Sequence, residues 1–184
     1  MKWLPILLFA LVASQASAAT FSTPIANKSN VTFVSRQMGV AVNGGFSKFS
    51  SQISFDPVKP ESGQARIDVM LASIDAGSGE ANDEVKGKAW FNAKEYPLAT
   101  FVSSSLKPLG GNRYQAIGKL SIKGKSREVV VPFTATPAGF TLVLDGAIPI
   151  SRAAYGIGEG AWADPSVVAD EVQVRFHFTL SAGK

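Results

Sequence analysis

Asp75, Asp83, Arg152 and His177 are the side chains of this sequence whose types suit chemistry. Two carboxylates act as general acid and base only when they share a cleft, and spacing alone does not bring Asp75 and Asp83 together. Their other reading is as caps of turns or of a short helix. Arg152 suits a phosphate or a quinone oxygen, and equally an ion pair with Asp83 or Asp145. His177 is the only histidine and there is no cysteine, so a zinc site or a histidine-based triad lacks its partners. Gly156, Gly158 and Gly160 do not open a helix with nucleotide-fingerprint spacing and read as a loop. Nothing here assembles a nucleophile with its base, so the expectation is a binding protein and not an enzyme.

The elements around these residues are strands. His177 sits on the clearest of them, where Val172, Val174, Phe176, Phe178 and Leu180 alternate with Glu171, Gln173, Arg175, His177 and Thr179. The same period runs through 30–35, 38–42, 65–71, 99–105, 114–122, 127–134 and 140–148. A turn is expected at Lys123-Gly124-Lys125 and another at Pro137-Ala138-Gly139. Gly44-Gly45 reads as a kink that lets the sheet curl. The expected fold is all-β: about eight antiparallel strands closed into a barrel, with a short helical insertion between Glu80 and Ala93.

Such a barrel is either filled by side chains or holds one small ligand, and periodicity alone does not choose. Its lumen candidates, by parity, are Phe46, Phe49, Phe101, Leu120, Ile122, Phe133, Leu142, Phe176 and Phe178. The stretch from Leu71 to Phe101 interrupts the strand pattern and sets Trp90 beside Phe91. Two adjacent rings of that size must bury against something, either lining the pore entrance or plugging one end of the barrel.

Residues 1–18 have the form of a secretory signal: Lys2, an apolar run from Trp3 to Val12, and Ala16-Ser17-Ala18 before an expected cleavage after Ala18. Removal leaves 184 − 18 = 166 residues as one domain, 19–184, and lowers the net charge from +4 to +3 because Lys2 departs. The expected compartment is the periplasm. With no cysteine, the exported domain must rely on its apolar core. Basic residues are scattered; Lys119, Lys123, Lys125 and Arg127 come nearest to a cluster and read as the solvated face of a hairpin, the alternative being a phosphate- or membrane-facing patch; with no recognised motif and no strong basic stripe, nucleic acid is not an expected partner.

Several segments in order resemble one family: Gly45-Phe46-Ser47-Lys48-Phe49 with Ile53-Ser54-Phe55-Asp56-Pro57; Ser73-Ile74-Asp75 with Asn82-Asp83-Glu84; Trp90-Phe91-Asn92 with Tyr96-Pro97-Leu98-Ala99-Thr100-Phe101; Gly118 to Gly124; and Ile150-Ser151-Arg152 through Gly158. Together they resemble the YceI-like, polyisoprenoid-binding proteins. The resemblance implies an extended lipocalin-like barrel with an apolar pore for an isoprenoid, a quinone or a fatty amphiphile, and no other cofactor. Where many members read Arg-Asp-x-His-Leu, this chain reads Asn82-Asp83-Glu84-Val85-Lys86, so Asp83 carries over while the neighbouring Arg and His do not. The Trp-Phe-Asn version is similar to a branch often encoded beside membrane proteins of cytochrome b561 type. The implied function is a periplasmic carrier of an amphiphile, the alternative being a ligand-free barrel that docks on such a cytochrome; a homodimer is compatible with either.

Overall fold

The computed structural model describes residues 20–183; the expected signal peptide and its cleavage site lie outside them. The strands are β1 (Phe21–Pro24), β2 (Asn30–Gln37), β3 (Val40–Phe46), β4 (Phe49–Ser54), β5 (Gln64–Met70), β6 (Ile74–Asp75), β7 (Leu98–Gly110), β8 (Arg113–Ile122), β9 (Lys125–Ala138), β10 (Thr141–Ser151) and β11 (Glu171–Ala182). One α-helix, α1 (Gly79–Lys86), lies in the insertion. Ser78 caps it by accepting a hydrogen bond from the Ala81 N–H, which satisfies one of the free donors of the first turn.

All pairings are antiparallel, in the order β4-β5-β7-β8-β9-β10-β11-β2-β3-β6, with β1 added on β11. Only Ser47 and Lys48 separate β3 from β4, yet β3 pairs with β2 and β4 pairs with β5. The two are halves of one bent strand that joins both ends of the sheet. Among the described residues eleven strands thus replace the eight expected, because this strand counts twice and the short β1 and β6 add two more. The bend falls at Ser47-Lys48, and Gly44-Gly45 stay within β3. Met38, expected inside a strand, instead forms the β2–β3 turn with Gly39.

Inward parity along the cavity follows the alternation read from the sequence except in β7. A bulge between Ser103 and Ser105 in β7 shifts the register, so the inward set runs Ala99 and Phe101 and then Leu106. One end of the barrel is solid. There Phe55, Leu142 and Leu180 have no exposed surface. Tyr114 stands edge-on to Phe55 at 5.0 Å and stacks on Phe133 at 5.5 Å. A second apolar cluster, Trp90, Ile122, Tyr155, Ile157 and Val168, forms at the other end between the insertion and the β10–β11 loop.

Candidate functional site: an apolar cavity with a polar rim

Between these two clusters the barrel is hollow. A cavity of about 560 Å³ runs from the packed end to an opening bordered by α1, the β2–β3 hairpin and the β10–β11 loop. That size falls within the roughly 300–1,000 Å³ of small-molecule sites. Phe33, Phe46, Phe101, Leu120, Val174 and Phe176 point inward on their strands but are only half-buried, because they face this space instead of other side chains.

The strand walls make the room. Gly146 is the direct cross-strand partner of Phe176, and Gly44 that of Phe33. A Cβ at Gly146 would fall on the Phe176 ring, within 2.6 Å of Cε1, and one at Gly44 would fall on Phe33. Each ring therefore lies down over its glycine, along the wall, and leaves the bore open.

Of the residues expected at the lumen or mouth, Phe46, Trp90, Phe91, Phe101, Leu120, Ile122, Phe133, Arg152, Phe176 and Phe178 line the cavity. Three do not. Phe49 packs edge-on against Phe178, with centroids 5.9 Å apart. Leu142 is wholly enclosed in the packed end, where Phe133 already closes the lumen beside it. Asp83 projects from α1 with its side chain 85% exposed and pairs with Lys86 at 3.4 Å. Trp90 and Phe91 form wall rather than plug: Trp90 lies against Trp162 and Phe91 stands edge-on to Phe46.

Arg152 is buried and meets no carboxylate. Its five N–H groups are all engaged by backbone carbonyls: Nε by Ala169, Nη1 by Ile157 and Gly158, Nη2 by Trp162 and Val168. The expected ion pairs do not form, since Asp83 pairs with Lys86 and Asp145 lies outside the barrel, 2.6 Å from His177 Nδ1. Arg152 thereby fixes the β10–β11 loop as the floor beneath Trp90, whose ring lies 5.7 Å from its guanidinium carbon. No N–H of Arg152 remains for a head group.

The polar atoms at the opening come from residues that the sequence did not single out. Ser35 and Gln37 of β2 and Ser78, Glu80 and Glu84 at α1 border the cavity. Glu84 accepts a hydrogen bond from Trp162 Nε1 at 2.7 Å, tying α1 to the β10–β11 loop across the mouth. Among the described residues no cluster of three or more His, Cys, Asp or Glu side chains could hold a metal ion. Asp75, the other carboxylate considered for chemistry, accepts from Gly77 N–H and caps a turn.

The family model of the YceI-like domain matches residues 23–180. The chain belongs to the YceI-like family. Its barrel superposes on that of Burkholderia cenocepacia BcnA with a TM-score of 0.83 and 50% identity, covering 85% of this chain and 98% of that one. A polyisoprenoid binding domain from Saccharophagus degradans shares the fold at a TM-score of 0.69 and 16% identity, covering 91% of this chain and 100% of that one. Among curated relatives, a UPF0312 protein of Shewanella oneidensis is 29% identical over 72% of this chain and 69% of its own length. Another, from Azotobacter vinelandii, is 31% identical over 48% of this chain and 46% of its own length, so the match spans less than half of that relative.

Proposed function

We propose that this protein is a periplasmic carrier that shields the apolar tail of an isoprenoid quinone or a related amphiphile from water. The hollow, apolar barrel interior carries this reading. It offers a tail no hydrogen bonds and needs none: each CH₂ buried contributes about 0.8 kcal/mol, before the cost of ordering the chain. Selection by length and bulk follows, with the head group left at the rim. The YceI-like fold is shared with a polyisoprenoid binding domain, which supports the same ligand class. Glu80 and Glu84 border the opening and every N–H of Arg152 is already used, which favours an uncharged quinone ring over a prenyl phosphate. Binding, not turnover, is the activity.

The test is purification from periplasm without detergent, followed by organic extraction and mass spectrometry. An apolar isoprenoid or quinone in the extract is the expected result. An empty extract, together with no quenching of Trp90 and Trp162 fluorescence by added quinones, would exclude the carrier reading.

A further inference from the structure

We propose that the β2–β3 hairpin tip docks the cavity mouth on a lipid bilayer, with Met38 and Val40 entering the interface; this rests on the carrier reading above. Met38 is 76% exposed and Val40 67% exposed. The turn between the strands is Met38-Gly39, with φ of 50° and 80°. Two left-handed central residues are the geometry for which Asn-Gly is preferred, because asparagine tolerates positive φ and a long apolar side chain does not. Methionine there takes the backbone cost and gains no burial within the fold. A strained apolar residue held out into solvent has its use outside the molecule.

The hairpin is well placed and firmly held. Ser35, Gln37 and Val42, on either side of the tip, line the cavity. Met38 N–H donates to the Val167 carbonyl at 2.8 Å and Ala169 N–H donates to the Arg36 carbonyl at 2.9 Å, which fixes the tip to the β10–β11 loop. It is a rigid lip of the opening. A tail leaving the barrel here would cross water; with the lip seated among acyl chains, Val42, Val40 and Met38 give it an apolar track to the bilayer beside Ser35 and Gln37.

The occupant is a lipid surface and not a protein because two side chains, Met38 on the turn and Val40 beside it, offer far less than the roughly 800 Å² per partner of a stable protein interface. A bilayer accepts apolar side chains singly. Glu80 and Glu84 border the opening while Arg36 flanks the tip, its guanidinium donating to the Gly39 carbonyl, so the rim carries both signs of charge and a zwitterionic surface fits it. The packed end supplies an internal control: Phe140, 97% exposed, lies in the turn between β9 and β10, away from the mouth.

Flotation of the purified protein with vesicles of phosphatidylcholine and phosphatidylethanolamine tests this. Wild type is expected to float, the double variant Met38→Asn/Val40→Thr to partition roughly tenfold less, and Phe140→Asn to match wild type. Asparagine suits the turn, so the double variant keeps its fold, which undiminished uptake of a short-chain ubiquinone from solution verifies. Vesicle binding by the double variant at the wild-type level, no binding by wild type, or loss on Phe140→Asn instead would overturn the proposal while leaving the carrier reading intact. A wild-type protein that takes up no quinone defeats the carrier reading and this proposal with it.

Discussion

The far edge of the Phe176 ring sits over Gly146, its cross-strand neighbour between β11 and β10, so that the missing side chain of one residue is the resting place of the other. The bore of the barrel depends on that pairing. In Gly146→Ala the new Cβ also meets the Pro132 carbonyl oxygen at 2.7 Å, so the Phe176 ring has to rise into the lumen. The variant is expected to lose about 1–3 kcal/mol of stability through overpacking. It should also bind long-tailed quinones several-fold more weakly than wild type. Removing the ring as well, in Gly146→Ala/Phe176→Leu, should restore tail binding. Fluorescence titration with short and long quinones, alongside urea unfolding, checks both expectations.

Arg152 is the fixed point of the β10–β11 loop. Arg152→Met would strand five carbonyls, three of them buried and two partly buried, and urea unfolding should show a loss of at least about 3 kcal/mol. Lysine has three N–H donors on a single nitrogen and cannot reach all five acceptors, so Arg152→Lys should fall between wild type and Arg152→Met.

These two features differ in how far they could be read from the amino acids. Strict alternation in β11 and β5 gives the inward face of both strands, so Phe176 and Phe178 could be placed before any fold was known. Arg152 could also be placed near the lumen, but its partners could not: an arginine held by carbonyls leaves no complementary acidic residue in the sequence to find. Leu142 has the right parity and lies where the barrel is packed, a distinction set by depth along the strand and not by side; Phe49 also has the right parity and is turned onto the Phe178 ring. Met38-Gly39 read as strand because methionine is not the residue expected in a left-handed turn. Glu84 was passed over because its role depends on Trp162, 78 positions away.

The loop that Arg152 organises should loosen in acid. Burial alone would raise the Asp170 carboxyl, but hydrogen bonds from Ser151 and from the Ala153 N–H, with the charge of Arg152, outweigh it and hold the group below the ordinary carboxylate value. A lowered folded-state value means that its stabilisation is complete above the unfolded value, near pH 4, and disappears as the pH falls through the folded one. Amide exchange in residues 153–158 should therefore accelerate below about pH 4, beyond the intrinsic change, and Asp170→Asn should show the faster exchange already at neutral pH. Equal protection of this loop at pH 7 and pH 3 would contradict the role assigned to Asp170.

Tyr155 offers the opposite kind of test. Its side chain is 2% exposed and its hydroxyl has no hydrogen-bond partner, while burial raises its ionisation above the ordinary phenol value. Deleting an unsatisfied buried hydroxyl removes a desolvation cost, so Tyr155→Phe should unfold at the same or a higher urea concentration, with a gain of up to about 1 kcal/mol. A loss of more than about 1 kcal/mol would mean that the hydroxyl has a partner in solution.

The account depends on a lumen that is hollow and takes up an extended chain. Its most direct test is calorimetric titration with ubiquinones that share one head group and carry one, two, three and four isoprene units. Affinity is expected to climb by roughly tenfold or more with each unit until the cavity is full, then level off, with a negative heat-capacity change that grows in step. Affinity and heat-capacity change that stay constant from one unit to four would place the ligand outside the barrel and contradict the account.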